Sequence, residues 1–248
     1  MILAVDIGNS TIGFGFIRNG KLEGVVKLEN MPDSELFRPK LANFLAVAGH
    51  RGVQKVIICS VVPDTLKIIR KQILNALQVR PVVVGRDIEV PIVNRYHSPR
   101  QVGKDRLVCA FAARELYGFP AVVLDLGTAI TFDGISRKGE YLGGAIVPGI
   151  RLSAEALFEK TALLPRIIIA PPGHVIGRST GESIQSGLFY GYGALCDGMV
   201  ERLAEAMGCR PKIVMTGGYA GVLAKFMKSR VTAVDEELIF KGIGLLAP

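Results

Sequence analysis

The sequence lacks the patterns that mark membrane, secreted and metal-binding proteins. No apolar run approaches the ~20 residues that a membrane-spanning helix needs. The start, MILAVDIG, carries no basic segment of the kind that opens a signal peptide. The four cysteines show no Cys-x-x-Cys spacing, so we expect reduced core thiols rather than disulfides or metal ligands. We therefore expect a soluble, cytoplasmic protein without a membrane partner.

Common catalytic motifs are missing as well. No Gly-x-Gly-x-x-Gly opens a helix after a strand, so a dinucleotide-binding fold has no support. Residues 173–180 (GHVIGRST) fall short of a P-loop, because three residues instead of four separate the glycines and Arg replaces Lys. The histidines lack metal-ligand spacing, and no zinc-protease or nucleophile-elbow motif occurs. The chemistry that remains is that of acids, glycines and hydroxyls.

The chain has a formal net charge of +8 but no basic run of five or more residues. Two interpretations stay open: a solvated surface excess, or a cleft that attracts anionic small molecules. Scattered charge of this kind gives no reason to expect a nucleic-acid partner. The densest basic group surrounds Asp105 and consists of Arg95, Arg100, Lys104 and Arg106.

An internal repeat organises the chain. Residues 2–24 and 121–143 match at an offset of 119 positions, which favours two related halves. The matched residues are Asp6 and Asp125, Gly8 and Gly127, Gly15 and Gly134, Arg18 and Arg137, Gly20 and Gly139, and Gly24 and Gly143. At 248 residues the chain has room for two domains, which we place at 1–117 and 118–248. If the halves face each other, two acidic turns line one cleft, an arrangement suited to gripping a polyphosphate.

Alternating apolar strands and amphipathic helices predict an α/β fold with layered sheets. We expect strands at 2–7, 12–18, 22–28, 55–62, 81–84, 121–126, 130–135, 141–147 and 212–216. We expect helices at 34–48, 65–77, 106–116, 179–207 and 219–229. The helix from 179 contains several glycines, each unfavourable in a helix interior by about 1 kcal/mol. They indicate close packing against another backbone, in the same chain or in a second subunit.

The turn after the first strand, DIGNST at 6–11, has the makeup of a phosphate-binding loop. Gly8 lets a ligand approach the backbone, and the amides and hydroxyls of the turn can donate to phosphate oxygens. Asp6 would hold Mg²⁺ directly or through water, since hard cations prefer carboxylate oxygens. The alternative is an Asp that merely caps a turn, and the second copy at Asp125 favours the functional interpretation.

A second candidate is Asp105, which lies where the helix 106–116 begins. The helix dipole favours its ionised form, and the flanking cations attract an anionic substrate. A carboxylate so placed can accept a hydroxyl proton during phosphoryl transfer, which depends chiefly on positioning and charge neutralisation. A plain N-cap Asp is the alternative. Residues 179–182 (STGE) match a capping box, where Thr180 could donate its hydroxyl to a ligand.

Together these motifs resemble those of type III pantothenate kinases, of the acetate and sugar kinase/Hsp70/actin superfamily. In order they are DIGNST, VGKDR, DLGTAIT, GGAIVPG (143–149), GRST with QSGLFYG (177–191) and TGG (216–218). The resemblance spans nearly the whole chain. It implies two duplicated actin-like (ribonuclease H-like) domains with a ligand cleft between them. It also implies a homodimeric enzyme that phosphorylates pantothenate with ATP, the first step of coenzyme A biosynthesis.

The resemblance further implies roles for single residues. It assigns the ATP phosphates to Thr128 and to the first turn, namely Asp6, Ile7, Gly8, Asn9, Ser10, Thr11, Ile12 and Gly13. It assigns pantothenate to Tyr96, Gly103, Lys104, Asp105, Arg106 and Thr180. Among these, Asp105 is implied as the catalytic base. Asp125 is implied as the ligand of a monovalent cation, K⁺ or NH₄⁺.

The chain departs from the family pattern at two positions, with Lys104 in place of a small residue and Ser98 in place of Asn. Three effects of a lysine beside the base stay open: it could lower the proton affinity of Asp105, pair with the pantothenate carboxylate, or obstruct the pocket. Two other functions stay open: a kinase for another small hydroxy acid or sugar, and a non-enzymatic accessory regulator of the same fold. The retained acids Asp6, Asp105 and Asp125 argue against the regulator, since a binding module needs no base.

Overall fold

The computed structural model describes residues 1–247, which form two compact α/β units. The first unit comprises residues 1–92, 97–112 and 237–247, and the second comprises 93–96 and 113–236. The C-terminal segment thus belongs to the first unit, although it follows the second in sequence. The limits 1–117 and 118–248, drawn from the repeat, stay a prediction about the duplication.

Two five-stranded sheets, one in each unit, carry the fold. Their strands are β1 (Ile2–Ile7), β2 (Thr11–Arg18), β3 (Lys21–Glu29), β4 (Lys55–Ser60), β5 (Val82–Val83), β6 (Ala121–Leu126), β7 (Ala129–Ile135), β8 (Tyr141–Pro148), β9 (Lys212–Thr216) and β10 (Ala233–Val234). The orders are β3-β2-β1-β4-β5 and β8-β7-β6-β9-β10. In each sheet three strands form an antiparallel meander and two more join parallel. This repeated order confirms the predicted α/β fold of two duplicated halves.

The helices agree with prediction in the first half of the chain and differ in the second. They are α1 (Phe37–His50), α2 (Pro63–Leu77), α3 (Lys104–Tyr117), α4 (Ile150–Lys160), α5 (Thr180–Ser186), α6 (Tyr192–Met207), α7 (Ala220–Leu223) and α8 (Leu238–Leu245). Sequence reasoning missed α4 and α8. The predicted helix 219–229 is shorter, because a 3-10 turn follows α7 and ends at Phe226.

Side chains of β1 alternate between two apolar clusters. Leu3, Val5 and Ile7 pack into the cluster that α1 and α2 cover. Ala4 faces the opposite cluster, to which α3 and α8 contribute. Because both faces are covered, the strand reads as an almost unbroken apolar run. The turn after β1 lies at the carboxyl end of this central strand.

The long helix predicted from residue 179 is interrupted. A single π-helical turn, Gly187–Gly191, separates α5 from α6. A side chain at Gly193 would collide with the backbone of Phe226, so this glycine permits an approach within the second unit. No atom of residues 1–247 lies within 4 Å of a methyl group built at Gly187 or Gly191. Gly193 therefore packs against backbone of the same chain, whereas Gly187 and Gly191 have no such partner among the described residues.

The strand registers show how the two repeats differ. Asp6 pairs with Gly13 on β2, whereas Asp125 pairs with Thr131 on β7. The second acidic turn is therefore one residue shorter, and the sequence match of β2 with β7 is displaced by one residue in the sheets. Both strands then have a register shift at the same level of the meander, between Phe16 and Ile17 and between Gly134 and Ile135. A shared irregularity of this kind supports the duplication.

The cysteines are core residues, as predicted. The thiols of Cys59, Cys109 and Cys196 are buried, that of Cys209 is half-buried, and none of the four forms a disulfide. No helix in the part of the chain that the structure describes is long and apolar enough to cross a membrane.

Candidate active site

Hydrogen bonds within the turn and from Asn30 hold the acidic turn between β1 and β2 in place. The amide of Gly8 donates to the Thr11 carbonyl at 3.0 Å, which closes the turn. Asn30, at the end of β3, donates from Nδ2 to the Gly8 carbonyl at 2.8 Å, and its Oδ1 accepts from the Thr65 hydroxyl at 3.0 Å. Sequence reasoning missed Asn30, because nothing in its local pattern shows that it reaches back to the turn.

The predicted phosphate loop divides into an exposed and a buried part. Residues 9–11, Asn-Ser-Thr, are exposed and offer amide and hydroxyl donors. Ile7 and Ile12 are fully buried, so their side chains anchor the turn. Gly13 lies against Phe240 of α8, where a methyl group would collide with the ring. This glycine makes room for an aromatic side chain from the C-terminal helix.

Asp105 lies in the first turn of α3, which begins at Lys104. The Arg106 amide donates to Asp105 Oδ1 at 2.8 Å. A side chain at Gly103 would collide with the same oxygen, so the glycine leaves room for the carboxylate to fold back over the helix start. The positive end of the helix dipole stabilises a carboxylate in this position.

Cys59 is a buried neighbour of the two predicted site acids of the first unit, Asp6 and Asp105. It is fully buried on β4, and its register partner on β1 is Asp6. Burial raises the pKa of the Cys59 thiol well above its ordinary value, and Asp6 and then Asp105 raise that pKa further, while Lys104 opposes them. The structure therefore places both Asp6 and Asp105 within electrostatic range of the same buried thiol. Cys59 itself was missed, because in the sequence it reads as one more apolar strand residue.

The acidic turn of the second unit is framed by glycines. The Gly127 amide donates to the Ala129 carbonyl at 3.1 Å, and the Gly149 amide donates to the Thr128 carbonyl at 3.0 Å. A side chain at Gly149 would collide with the backbone of Gly127 and Thr128. The last residue of the GGAIVPG motif thus lies directly against the turn that carries Thr128.

Asp125 faces the TGG motif. A methyl group built at Gly217 would lie 2.6 Å from Asp125 Oδ1, and the φ of Gly217 is +89°. The same Asp125 oxygen is 3.7 Å from a methyl group built at Gly127. Position 217 therefore has to be glycine for Asp125 to keep its place, whereas Gly127 lies at an ordinary contact distance from the same oxygen.

Two predicted substrate residues, Tyr96 and Thr180, lie in the second unit. The Tyr96 amide donates to Asn94 Oδ1 at 3.0 Å, and the Tyr96 ring would be 3.1 Å from a methyl group at Gly143. Thr180 is the exposed first residue of α5.

The start of α5 has a modified capping box. The Ser179 hydroxyl accepts from the Glu182 amide at 3.3 Å, as predicted. The Glu182 carboxylate, however, accepts from the amide of Arg178 at 2.7 Å, one residue before the Ser179 amide that a standard box uses.

No three His, Cys, Asp or Glu side chains within residues 1–247 converge as a metal-binding group. Asp6 and Asp125 each lie beside a glycine-containing turn. A single carboxylate suits Mg²⁺ that is shared with substrate phosphates, since this ion is usually held by one or two carboxylates and keeps several other oxygen ligands.

Two sheets of one order, each with an acidic turn after its first strand, define an actin-like fold. Solved structures agree. A protein named as a Baf family transcriptional activator from Campylobacter jejuni has a TM-score of 0.62 at 24% identity, covering 98% of this chain and 96% of that one. A 2-dehydro-3-deoxygalactonokinase protein from Sinorhizobium meliloti has a TM-score of 0.58 at 13% identity, covering 100% and 96%. At such identities the likeness shows the fold alone.

Sequence comparison defines the family. The model of the type III pantothenate kinase family matches residues 2–202. The type III pantothenate kinase of Persephonella marina is 44% identical over 230 residues, which cover 91% of this chain and 90% of the relative. That of Anaeromyxobacter sp. is 40% identical and covers 99% and 98%. The chain belongs to the type III pantothenate kinase family.

Proposed function

We propose that this chain transfers the γ-phosphoryl group of ATP to the primary hydroxyl of pantothenate, which opens coenzyme A biosynthesis. Membership of the family supports the substrates. The observation that carries the proposal is the placement of two carboxylates in the first unit: Asp6 beside Cys59 at the end of β1, and Asp105 in the first turn of α3. One ends a strand before a donor-rich turn and the other begins a helix, as a nucleotide site and a proton acceptor require.

The nucleotide phosphates bind the first acidic turn. The exposed donors of residues 9–11 and the Gly8 backbone contact phosphate oxygens, while Ile7, Ile12 and Gly13 shape the turn from the interior. Thr128, on the turn that Gly149 supports, provides a second contact. Asp6 holds Mg²⁺, which neutralises phosphate charge when bound.

Asp105 accepts the proton of the pantothenate hydroxyl. As the hydroxyl oxygen bonds to the γ-phosphorus, the bond to the β-phosphate oxygen breaks and ADP leaves, so the base takes up one proton per turnover. The helix start keeps Asp105 ionised before the reaction. The remaining pantothenate contacts are Tyr96, Gly103, Lys104, Arg106 and Thr180.

Asp125 holds a monovalent cation, K⁺ or NH₄⁺. Its carboxylate borders Gly127 and Gly217, and a methyl group at Gly217 would collide with it. A weakly hydrated cation fits a site of one carboxylate and neighbouring backbone oxygens, because it needs little charge and several oxygens. Its positive charge lies next to the Thr128 turn and favours bound phosphate.

The chain acts as a cytoplasmic homodimer. Several large apolar side chains of the second unit are exposed, among them Ile146 at 60%, Leu163 at 91% and Ile168 at 83%. A second copy of the chain covers such side chains, which are unfavourable in contact with water.

ADP release with a panel of acceptors tests the proposal. Pantothenate should support turnover in K⁺ and give much less in Na⁺, whereas sugars and other hydroxy acids should give none. An inert pantothenate together with an active sugar would favour a different kinase. Salt-sensitive DNA binding without any turnover would favour the accessory regulator. Equal turnover in both salts would remove the cation role of Asp125.

A further inference from the structure

The side chain of Lys104 lies along Gly85. A methyl group built on Gly85 would fall 2.7 Å from Lys104 Cδ and 3.0 Å from Cγ, and would collide with Cε. Gly85 has a φ of +78°, in a turn closed by its amide on the Ile88 carbonyl at 2.7 Å. The methylene chain of Lys104 therefore has a defined seat, which exists because position 85 lacks a side chain.

This seat lies to one side of the nucleotide turn, beyond β4. In the first sheet β4 separates β1 from β5, and Gly85 follows the end of β5. Neighbouring strands are about 4.8 Å apart, so Gly85 lies roughly 10 Å from the strand that carries Asp6.

We propose that Lys104, seated on Gly85, recognises the carboxylate of the acceptor and makes the enzyme selective for an anionic hydroxy acid. The inference rests on the proposed function and specifies that Lys104 contacts the carboxylate end of the substrate. The base Asp105 is the next residue in the chain, so hydroxyl and carboxylate are recognised by adjacent residues. Lys104 directed toward the phosphates would instead have run back over β4 toward Asp6.

A charge-removing variant tests the idea with two acceptors. Lys104→Met keeps an unbranched chain on Gly85 and removes the ammonium, and Lys104→Arg keeps the charge. The acceptors are pantothenate and pantothenol, its neutral alcohol. Lys104→Met should raise the KM for pantothenate roughly tenfold and leave the KM for ATP unchanged, since a hydrogen bond to a charged group is lost. The preference for pantothenate over pantothenol should shrink by the same factor, and Lys104→Arg should retain most of it.

A matched pair of glycine variants tests the seat. Gly85→Ala places a methyl group against Lys104, whereas Gly52→Ala, at a similar φ of +72°, meets no atom of the described chain within 4 Å. Gly85→Ala should raise the KM for pantothenate in the wild type and add little in Lys104→Met, because both changes remove one interaction. Gly52→Ala should leave the KM unchanged. Melting curves of each variant report folding separately.

The outcomes separate this inference from the proposed function. A wild type that never phosphorylates pantothenate overturns the function itself. A wild type that does, with an acceptor preference unchanged in Lys104→Met, overturns only the role of Lys104. Equal increases in the KM values of ATP and pantothenate would likewise contradict it, since they would place the ammonium at the phosphates.

Discussion

Substitution of Gly217 by alanine tests whether the Asp125 carboxylate lies directly against position 217. The new methyl group would lie 2.6 Å from Asp125 Oδ1 and 2.7 Å from the backbone of Leu126, at a φ of +89°. Backbone atoms cannot move aside as a flexible side chain can. Gly218, the next residue, has no described atom within 4 Å of the same methyl group. The two glycines are thus adjacent in sequence and opposite in environment.

The cost of Gly217→Ala has two parts. A left-handed conformation costs a non-glycine residue about 1–2 kcal/mol, and overpacking typically costs about 1–3 kcal/mol. Together they should lower the free energy of unfolding by roughly 2–5 kcal/mol. In a chain of this size that corresponds to a fall in Tm of about 5–15 °C. Gly218→Ala should change stability by no more than about 0.5 kcal/mol.

Thermal unfolding followed by circular dichroism compares the two variants directly. Activity in K⁺ and in Na⁺ then shows whether a displaced Asp125 loses the cation response, as we expect for Gly217→Ala. If both variants melt within a degree or so of the wild type, the Asp125 carboxylate does not lie over Gly217 and the reasoning fails.

Three further predictions concern contacts outside the acids. Tyr192 donates to the Pro148 carbonyl at 2.8 Å, and the next residue, Gly149, lies against the turn that carries Thr128. Tyr192→Phe should therefore lower the free energy of unfolding in urea by about 1 kcal/mol and raise the KM for ATP more than that for pantothenate. An unchanged ratio of the KM values would contradict this. Burial, and then the hydrogen bond to Asp235, raises the pKa of Tyr117 to about 12. Because the unfolded chain loses this proton first, stability should fall between about pH 10 and 12, and less steeply in Tyr117→Phe. Cys209 alone should react quickly with a thiol reagent, and Cys209→Ser should abolish that fast phase.

The repeat and the apolar periodicity predicted two duplicated α/β halves, and the family resemblance added that these halves are actin-like. Helix α8 was beyond this reasoning. It follows the second half in sequence, and only tertiary packing places Phe240 against Gly13 of the first sheet. The one-residue difference between the acidic turns was also hidden, since a match of Gly15 with Gly134 carries no information about register.

The candidate site was predictable where chemistry follows sequence position. Asp105 lies at the start of its helix because the apolar pattern that follows sets where the helix begins. Residues that support the site through long-range contacts left no local pattern, as Asn30 and Cys59 show. Lys104 was noticed in sequence, but the direction of its side chain depends on Gly85, a residue far away in the chain.

The rate of pantothenate phosphorylation by Asp105→Asn, measured together with pantothenate binding, tests the central claim most directly. The account predicts a fall in turnover of about 10²–10⁴-fold with binding largely retained, since the amide cannot accept the hydroxyl proton. Asp64→Asn is the matched control, because that carboxylate is 91% exposed and pairs only at the surface with Lys67. Turnover of Asp105→Asn close to that of the wild type would contradict the account.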